Sequence, residues 1–213
     1  GSGVTLAGAG GIANAVGSDG CGKNATLALG EWVEQSLDVA GTSRSYIIRL
    51  PASYDSSRAY PVVYQFHGCS DQRDANNPSL ENASGDDAIL VRGRAVDSCW
   101  EGSANGPDVA FFDALVPAIE DATCADESRR FITGYSSGSF LAHTLACVRA
   151  DVIRAVATIA GGNAGGACEG EVAALIVHDR DDGTVNISSS EGVRDQLAER
   201  NHCDVTADRS DVE

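Results

Sequence analysis

The apolar positions of this chain fall into short runs from about residue 43 onward, and polar or amphipathic stretches separate the runs. Runs rich in Val, Ile, Tyr and Phe predict buried strands. Six runs fit this description: 45–50, 60–66, 88–90, 130–135, 155–160 and 172–179. Because several of these runs are almost continuously apolar, they are typical of a parallel sheet that is covered on both faces.

Helical periodicity occupies several of the stretches between the runs. Segment 106–122 begins close to Pro107, as helices often do, and carries apolar residues at fourfold spacing that predict one stripe packed on a sheet: Phe111, Leu115 and Ile119. We expect Pro117 to kink or shorten this helix. Segments 137–150 and 188–201 predict further helices. The alternation of strands and helices predicts an α/β sandwich with right-handed crossovers.

Length and composition fit one domain, because 213 residues at 43% hydrophobic content can bury a sizeable core. We expect 21–213 to form that domain and the Gly/Ala-rich segment 1–20 to be an N-terminal linker or an expression scar. No apolar run approaches the roughly 20 residues that a transmembrane helix needs. The formal charge of −16 argues against nucleic acid or an anionic membrane as a partner, since like charges repel.

The pentapeptide GYSSG, residues 134–138, lies where a predicted strand passes into a predicted helix. In a sharp turn of this kind small residues flank the central serine, and its hydroxyl projects above the sheet. Ser136 is therefore a candidate nucleophile, although a serine between glycines also occurs in ordinary turns. The backbone N–H of Ser137, at the helix N-terminus, points to the same place and is a candidate oxyanion donor.

The segment QFHGCS, residues 65–70, follows a strongly β-like run. A flexible His-Gly pair at the end of a strand would place the N–H of Cys69 as a second oxyanion donor, which acyl transfer needs when the carbonyl oxygen becomes negative. The alternative is a plain exit from the strand, with His67 hydrogen-bonded in place. The residues alone leave both interpretations open.

The segment VHDRDDGTVNI, residues 177–187, ends another predicted strand with three acids, Asp179, Asp181 and Asp182. A carboxylate after a late strand is suited to orient a catalytic histidine. A calcium loop is the rival interpretation, but counted from Asp179 it has Ser190 at the twelfth position, where Glu is needed. The spacing favours a triad acid and no metal site.

Five blocks, in order, resemble the secreted esterase family that contains feruloyl esterases and poly(3-hydroxybutyrate) depolymerases: GCGK (20–23), RSYIIRLPASYDSSRAYPVVYQFHGC (44–69), CWEGSANGPDVAFFDAL (99–115), RRFITGYSSGSFLAHTLAC (129–147) and VHDRDDGTV (177–185). The likeness runs over about residues 20–205. It implies an α/β-hydrolase fold, a three-layer sandwich around a mostly parallel sheet. It also implies carboxylic ester hydrolysis through an acyl-enzyme, without metal or organic cofactor, by a secreted protein.

The family's strand exit reads H-G-x-x-D-x-x-V-P, and it identifies the acid among the three candidates. Laid on this chain, the pattern puts His178 first, Asp182 fifth and Val185 eighth. Asp179 replaces the family's Gly, and Asn186 replaces its Pro. The resemblance therefore implies that Asp182 is the triad acid.

The resemblance places the nucleophile on Ser136 and the oxyanion amides on Ser137 and Cys69, but it leaves the substrate open. A closed pocket would suit aryl esters such as feruloyl sugars. Exposed aromatic surface around Trp100, a candidate substrate-binding residue, would instead suit a depolymerase of hydroxyalkanoate polyesters. A third possibility is an inactive binding module on the same fold.

None of the four histidines is suitably placed for the triad. We expect His67, His143 and His178 to be packing or hydrogen-bonding residues. The helix before His202 would carry the chain about 20 Å from the catalytic edge at 1.5 Å per residue, so His202 should lie at the opposite end of the sheet. The family keeps its histidine in a later loop, so we expect a domain that lacks its C-terminal strand and histidine loop. A C-terminal fragment, as a second chain, would then complete the site.

Seven cysteines are spread along the chain without the spacing of a zinc site, which favours disulfides in an oxidising compartment over buried thiols. From their expected location at the lower edge of the sheet, we predict two pairs, Cys124 with Cys147 and Cys168 with Cys203. Three other cysteines then leave one thiol over.

Overall fold

A computed structural model describes residues 15–70, 79–162 and 168–203. In these residues the chain forms seven strands: β1 Trp32–Val39, β2 Thr42–Arg49, β3 Tyr60–Phe66, β4 Ile89–Gly93, β5 Ala125–Tyr135, β6 Ala155–Ile159 and β7 Ala173–Val177. The helices of the same residues are α1 Glu81–Ser84, α2 Pro107–Ala122, α3 Ser137–Val148 and α4 Ile187–Arg200. All six predicted strands and all three predicted helices are confirmed, with small shifts at their ends.

The strands form one mixed sheet in the order β1-β2-β4-β3-β5-β6-β7. The hairpin β1–β2 and the pair β2–β4 are antiparallel, whereas β4, β3, β5, β6 and β7 run parallel. Tyr135 of β5 is in register with Ile159 of β6, which in turn is in register with Val177 of β7. The loops that follow these three strands therefore meet at one edge of the sheet, the C-terminal edge.

Helices α2 and α3 cover one face of the sheet, and the predicted stripe of α2 is confirmed, since Phe111, Leu115 and Ile119 are buried. Aromatic rings fill the space beneath α2, where Phe66 packs edge-on against Trp100 and Phe112. Helix α1 lies on the opposite face, where Glu81 forms an ion pair with Arg92 of β4.

Two predictions about the elements were incomplete or wrong. The first is strand β1, which the search for apolar runs did not find, because only alternate residues of β1 face the protein. The second concerns Pro117, which does not shorten α2: the helix continues past it to Ala122. A proline removes one backbone donor, and here the burial of the apolar stripe on both sides of Pro117 stabilises the helix.

Both predicted disulfides are wrong. The structure instead joins Cys21 to Cys124, Cys69 to Cys99 and Cys147 to Cys168, and Cys203 is an exposed free thiol. Cys124 and Cys147 do lie near the lower, N-terminal edge of the sheet, but each is bonded to a cysteine of another segment. Cys168 lies beside the end of α3, because the N–H of the next residue, Glu169, donates to the carbonyl of Cys147 at 3.0 Å.

The N-terminal segment brings Cys21 to Cys124. Residues 15–20, the described part of the segment predicted to be a linker, lie against the start of β5. The N–H of Ser18 donates to the carbonyl of Ala125 at 2.9 Å, and the N–H of Val16 donates to the carboxylate of Asp126 at 3.0 Å. This segment therefore closes the lower edge of the sheet, with the disulfide beside it.

Strand β7 is the last described strand at one side of the sheet, and two of its apolar side chains are open to solvent on a face of the sheet. Leu175 is 62% exposed and Val177 is 48% exposed. No helix in the described part of the chain is long and apolar enough to cross a membrane. Within the same residues, no cluster of three or more His, Cys, Asp or Glu side chains is arranged to hold a metal ion.

Candidate active site

Ser136 occupies the turn between β5 and α3 in a strained backbone conformation, with φ 50° and ψ −117°. A positive φ is uncommon for a residue with a side chain and is often found at functional sites. Its N–H is fixed by the carbonyl of Ile159 at 2.9 Å. The flanking Gly134 and Gly138 have no room for a Cβ atom, which would collide with the backbone of Gly138 and of Phe66 respectively. The sharp turn predicted for GYSSG is present.

Ser139, in the first turn of α3, pins this turn to the neighbouring strands. The side chain is fully buried, and its hydroxyl oxygen lies 2.7 Å from the carbonyl oxygens of both Gly134 and Ile159. The same oxygen accepts the N–H of Ile159 at 3.1 Å. The start of α3 is thereby held to the ends of β5 and β6, which orients Ser136 above the sheet.

The loop after β3 passes directly beside Ser136. A Cβ atom on Gly68 would lie 2.8 Å from the ring of Tyr135 and 3.3 Å from the Cβ of Ser136, so only glycine permits this approach. Ser137 is the first residue of α3, and N–H groups in a first helical turn have no partner within the helix. Ser137 and Cys69, next to Gly68, also line the same cleft beside this turn, as an oxyanion hole formed by their N–H groups would require.

His67 shapes this loop rather than taking part in proton transfer. Its imidazole is fully buried, and its Nδ1 donates to the carbonyl of Gly68 at 2.6 Å. Its Nε2 accepts the N–H of Ala95 at 3.2 Å. The structure therefore supports the hydrogen-bonding role predicted for His67, and this role is compatible with either interpretation of the His-Gly exit.

A cleft of about 380 Å³ opens beside the serine turn, lined by Cys69, Cys99, Trp100, Glu101, Gly102, Ser103, Ser137 and Phe140. Trp100 contributes to its wall, but the residue is only 7% exposed. Its indole N–H donates to the carbonyl of His67 at 3.0 Å, and its ring stacks on Phe111. Trp100 therefore supports the cleft from beneath and does not present a broad aromatic surface to solvent.

Asp182 follows β7 at the same C-terminal edge of the sheet as Ser136. Its Oδ1 accepts the N–H groups of Thr184 at 2.7 Å and Val185 at 3.0 Å. These bonds, the one from Val185 first, lower the pKa of Asp182, so the carboxylate is ionised at neutral pH. An ionised, partly exposed carboxylate at this edge can orient an imidazole and stabilise its cation.

His178 holds the loop that carries Asp182. Its side chain is almost fully buried, its Nε2 donates to the carbonyl of Val185 at 2.8 Å, and the same nitrogen lies 3.5 Å from Asp182 Oδ2. Its Nδ1 lies 2.5 Å from Ser190 Oγ, which in turn donates to the carbonyl of Gly161 at 2.5 Å. This network ties the acid loop to α4 and to the end of β6, so His178 is structural.

The two remaining histidines also have partners away from Ser136. The imidazole of His143 is buried in α3, where Nδ1 donates to the carbonyl of Gly162 and Nε2 accepts from the hydroxyl of Thr158. His202 is 85% exposed and lies 3.9 Å from Glu171, just before β7. Because Glu171 is at the N-terminal edge of the sheet, the prediction that His202 lies opposite the catalytic edge is confirmed.

The roles of three residues that support the site were not predicted from the sequence. Cys99 forms the disulfide with Cys69, Ser139 pins the serine turn, and Ser190 connects His178 to Gly161. Each acts through a partner distant in the sequence, so no local pattern marks it. The only available signal was the position of Cys99 directly before Trp100, in a block already singled out.

Solved structures with the same architecture include a thermostable esterase, with a TM-score of 0.69 at 18% identity over 82% of this chain; the match spans 53% of the esterase chain. Another is a CE1 ferulic acid esterase from Anaeromyces mucronatus, in complex with ferulic acid, with a TM-score of 0.61 at 19% identity over 91% of this chain and 88% of that one. Together with the strand order and the serine turn, these matches show that the chain has the α/β-hydrolase fold.

Curated relatives are closer in sequence. Feruloyl esterase D of Neurospora crassa is 34% identical over 210 residues, which cover 90% of this chain and 71% of that protein. A probable feruloyl esterase C of Aspergillus clavatus is 33% identical over 197 residues, covering 87% and 69% respectively. No family model matches the chain. The chain therefore belongs to the feruloyl esterase family, a family of carboxylic ester hydrolases, as the sequence blocks indicated.

Proposed function

We propose that this protein is a secreted serine esterase that hydrolyses feruloyl or similar aryl esters through an acyl-enzyme intermediate. The observation that carries the proposal is the strained turn at Ser136, which lies against Gly68 and begins α3. In this proposal the turn presents the hydroxyl of Ser136, and the N–H groups of Ser137 and Cys69 bind the oxyanion. Acyl transfer is the chemistry that needs this combination.

In the proposed mechanism, Ser136 Oγ attacks the ester carbonyl carbon while its proton passes to a histidine. The carbonyl oxygen becomes negative and accepts the N–H groups of Ser137 and Cys69. The tetrahedral intermediate collapses, the C–O bond to the alcohol breaks, and the histidinium returns the proton to the leaving oxygen. Water then attacks the acyl-enzyme by the same route and releases the acid, while Asp182 keeps the imidazole oriented.

We further propose that the histidine of the triad belongs to a segment outside these 213 residues. The four histidines present support this, because each imidazole contacts partners away from Ser136. The aligned relatives offer room for such a segment, since the match covers 71% and 69% of their lengths. Strand β7 pairs with no described strand on its outer side, which leaves a place for such a segment near Asp182.

The aryl ester is favoured over a polyester by two observations. The first is the set of relatives named feruloyl esterases, at 32–34% identity. The second is the burial of Trp100, since an exposed aromatic surface was the feature expected of a polyester depolymerase. Secretion is supported by the three disulfides, which form and persist in oxidising compartments.

The test is ester turnover by the protein expressed from its complete reading frame. We expect methyl ferulate to be hydrolysed at least 10-fold more efficiently than a 3-hydroxybutyrate oligomer. Ser136→Ala should lower kcat by at least about 10³-fold, because the nucleophile is lost. Ser188→Ala, an exposed serine at the start of α4, is the matched control and should retain activity. Undiminished turnover by Ser136→Ala contradicts the mechanism, and preference for the oligomer identifies a depolymerase.

A further inference from the structure

The N–H of Cys69 can act as an oxyanion donor only if the loop after β3 holds it in place. A donor must lie within about 2.7–3.1 Å of the oxyanion position, so a small displacement costs much of its effect. On one side the loop is fixed by Gly68, which packs against Tyr135 and Ser136. Strand β3 ends at Phe66, so Cys69 lies outside the sheet and is not held by its ladder of hydrogen bonds. The position of Cys69 therefore depends on contacts made across the chain.

Those contacts come from the segment before Trp100. Cys69 is bonded covalently to Cys99, and the N–H of the next residue, Ser70, donates to the carbonyl of Ser98 at 2.8 Å. Both cysteines line the cleft beside Ser137. The disulfide is thus part of the wall of the proposed active site, one residue from Gly68.

Cys99, the other cysteine of this disulfide, lies in a segment that several contacts hold in place. The indole N–H of Trp100 donates to the carbonyl of His67, and the N–H of Ala95 donates to the imidazole of the same histidine. The ring of Trp100 also packs between Phe66 and Phe111 in the core. Segment 95–100 is therefore held against the start of the loop at both ends, which makes Cys99 a fixed point for Cys69.

We propose that Cys99 is a positioning residue for the oxyanion hole: through its disulfide it holds the backbone N–H of Cys69 where the developing oxyanion needs it. This inference rests on the proposed function. The link limits the conformations of the loop before substrate arrives, so little reorganisation remains for the transition state. Because the oxyanion forms only in the transition state, loss of the link should act on kcat more than on KM.

The other two disulfides lie at the opposite edge of the sheet and provide a control. Cys147 and Cys168 are separated by 21 residues, against 30 for Cys69 and Cys99. Loop-closure entropy varies slowly with loop length, so removal of either pair should destabilise the fold to a similar degree. The two double variants therefore differ mainly in their distance from the proposed oxyanion hole.

The experiment compares Cys69→Ser/Cys99→Ser with Cys147→Ser/Cys168→Ser in the complete protein, at a temperature where circular dichroism shows both to be folded. For methyl ferulate, we expect the first variant to lose at least about 10-fold in kcat with KM within about threefold, since loss of a whole oxyanion donor costs about 10²–10³-fold. The inhibition constant of an aryl boronic acid, whose serine adduct places an oxygen in the hole, should rise in parallel. The control should keep kcat within about twofold.

Unchanged kcat and boronate affinity in the first variant would overturn the inference, as would equal losses in both variants. If the serine pair does not fold, Cys69→Ala/Cys99→Val, which keeps the site apolar, should show the same split between kcat and KM. Failure of the proposed function is distinguishable, because the parent protein would then hydrolyse no ester and its Ser136 would not react with a phosphonate.

Discussion

At the scale of single residues, Ser136 is where local strain and proposed chemistry coincide. A non-glycine residue held in this region of backbone space costs about 1–3 kcal/mol, and the carbonyl of Ile159 together with the buried hydroxyl of Ser139 maintains it. The benefit is a hydroxyl that projects from the sheet near the N–H groups that we propose as the oxyanion hole. A simple surface turn would not need such support.

The role of Asp182 as the triad acid can be tested specifically, because the same loop contains two other aspartates that were candidates for this role. Asp182→Asn should lower kcat by at least about 10²-fold, since an amide cannot stabilise the imidazolium as a carboxylate does. The amide oxygen can still accept the N–H groups of Thr184 and Val185, so the melting temperature should change little. Steady-state kinetics of the complete protein provide the measurement.

Asp181→Asn is the matched control for this change, because Asp181 is exposed and adjacent in sequence. It should retain kcat within about twofold. Should Asp181→Asn abolish turnover while Asp182→Asn does not, the register taken from the family pattern would be wrong by one residue.

The sequence was informative about residues whose role depends on a local pattern. The GYSSG turn, the His-Gly exit and the acid loop each combine a strand end with residues that suit a sharp turn, so their positions could be predicted. The partner of Cys69 could not, because Cys99 is brought close by the packing of Trp100 on Phe66 and Phe111. Disulfide pairing depends on such tertiary contacts and was predicted wrongly.

At the scale of elements, the predictions succeeded for apolar strands and failed for the half-buried one. Strands β3 and β5 are recognisable from their runs of Val, Ile, Tyr and Phe. Strand β1 alternates between half-buried and exposed positions after its first residue, with Val33, Leu37 and Val39 among those facing the protein. The period of two was the available signal, and a search for continuous apolar runs does not detect it.

Helix α3 carries a buried histidine that makes the stability of the fold depend on pH. Burial lowers the pKa of His143, and the bond to the carbonyl of Gly162 opposes this only in part. The unfolded chain, with a histidine pKa of about 6.5, therefore binds the proton more readily than the folded protein. The contribution of His143 to stability is complete above pH about 6.5 and is lost as the pH falls through the lower folded-state pKa.

We therefore expect the free energy of unfolding, measured with urea between pH 5 and 8, to decrease below pH about 6.5. His143→Gln should flatten this dependence, while it costs stability at pH 8 because the amide fits the two hydrogen bonds less well. His202→Gln, at an exposed site, should leave the slope unchanged. A slope that persists in His143→Gln would assign the pH dependence to other groups.

At the scale of the whole molecule, the two edges of the sheet have different roles. The N-terminal edge is closed by the disulfides of Cys124 and Cys147 and by the packed residues 15–20. The C-terminal edge brings together the serine turn, the loop of Cys69 and the acid loop. Ligands of open α/β sheets bind at this edge, which agrees with the position of the cleft.

The proposed position of the triad histidine depends on the open side of β7. No described strand pairs with β7 on that side, and Leu175 and Val177 are exposed on a face of the strand shortly before the loop that carries Asp182. A further segment of the polypeptide that covered these residues could bring an imidazole to Asp182 and Ser136 together. His202 cannot do so, because it lies at the other edge, beside Glu171.

Covalent labelling of Ser136 tests the central claim most directly. The complete protein and residues 1–213 alone are incubated with an aryl fluorophosphonate, and the labelled peptide is quantified by mass spectrometry, with Ser136→Ala as the blank. We predict rapid, stoichiometric labelling of Ser136 in the complete protein and labelling at least about 10³-fold slower in residues 1–213, because we propose that the base that activates the serine lies outside them. Equally fast labelling of residues 1–213, or labelling at another residue, would contradict the account.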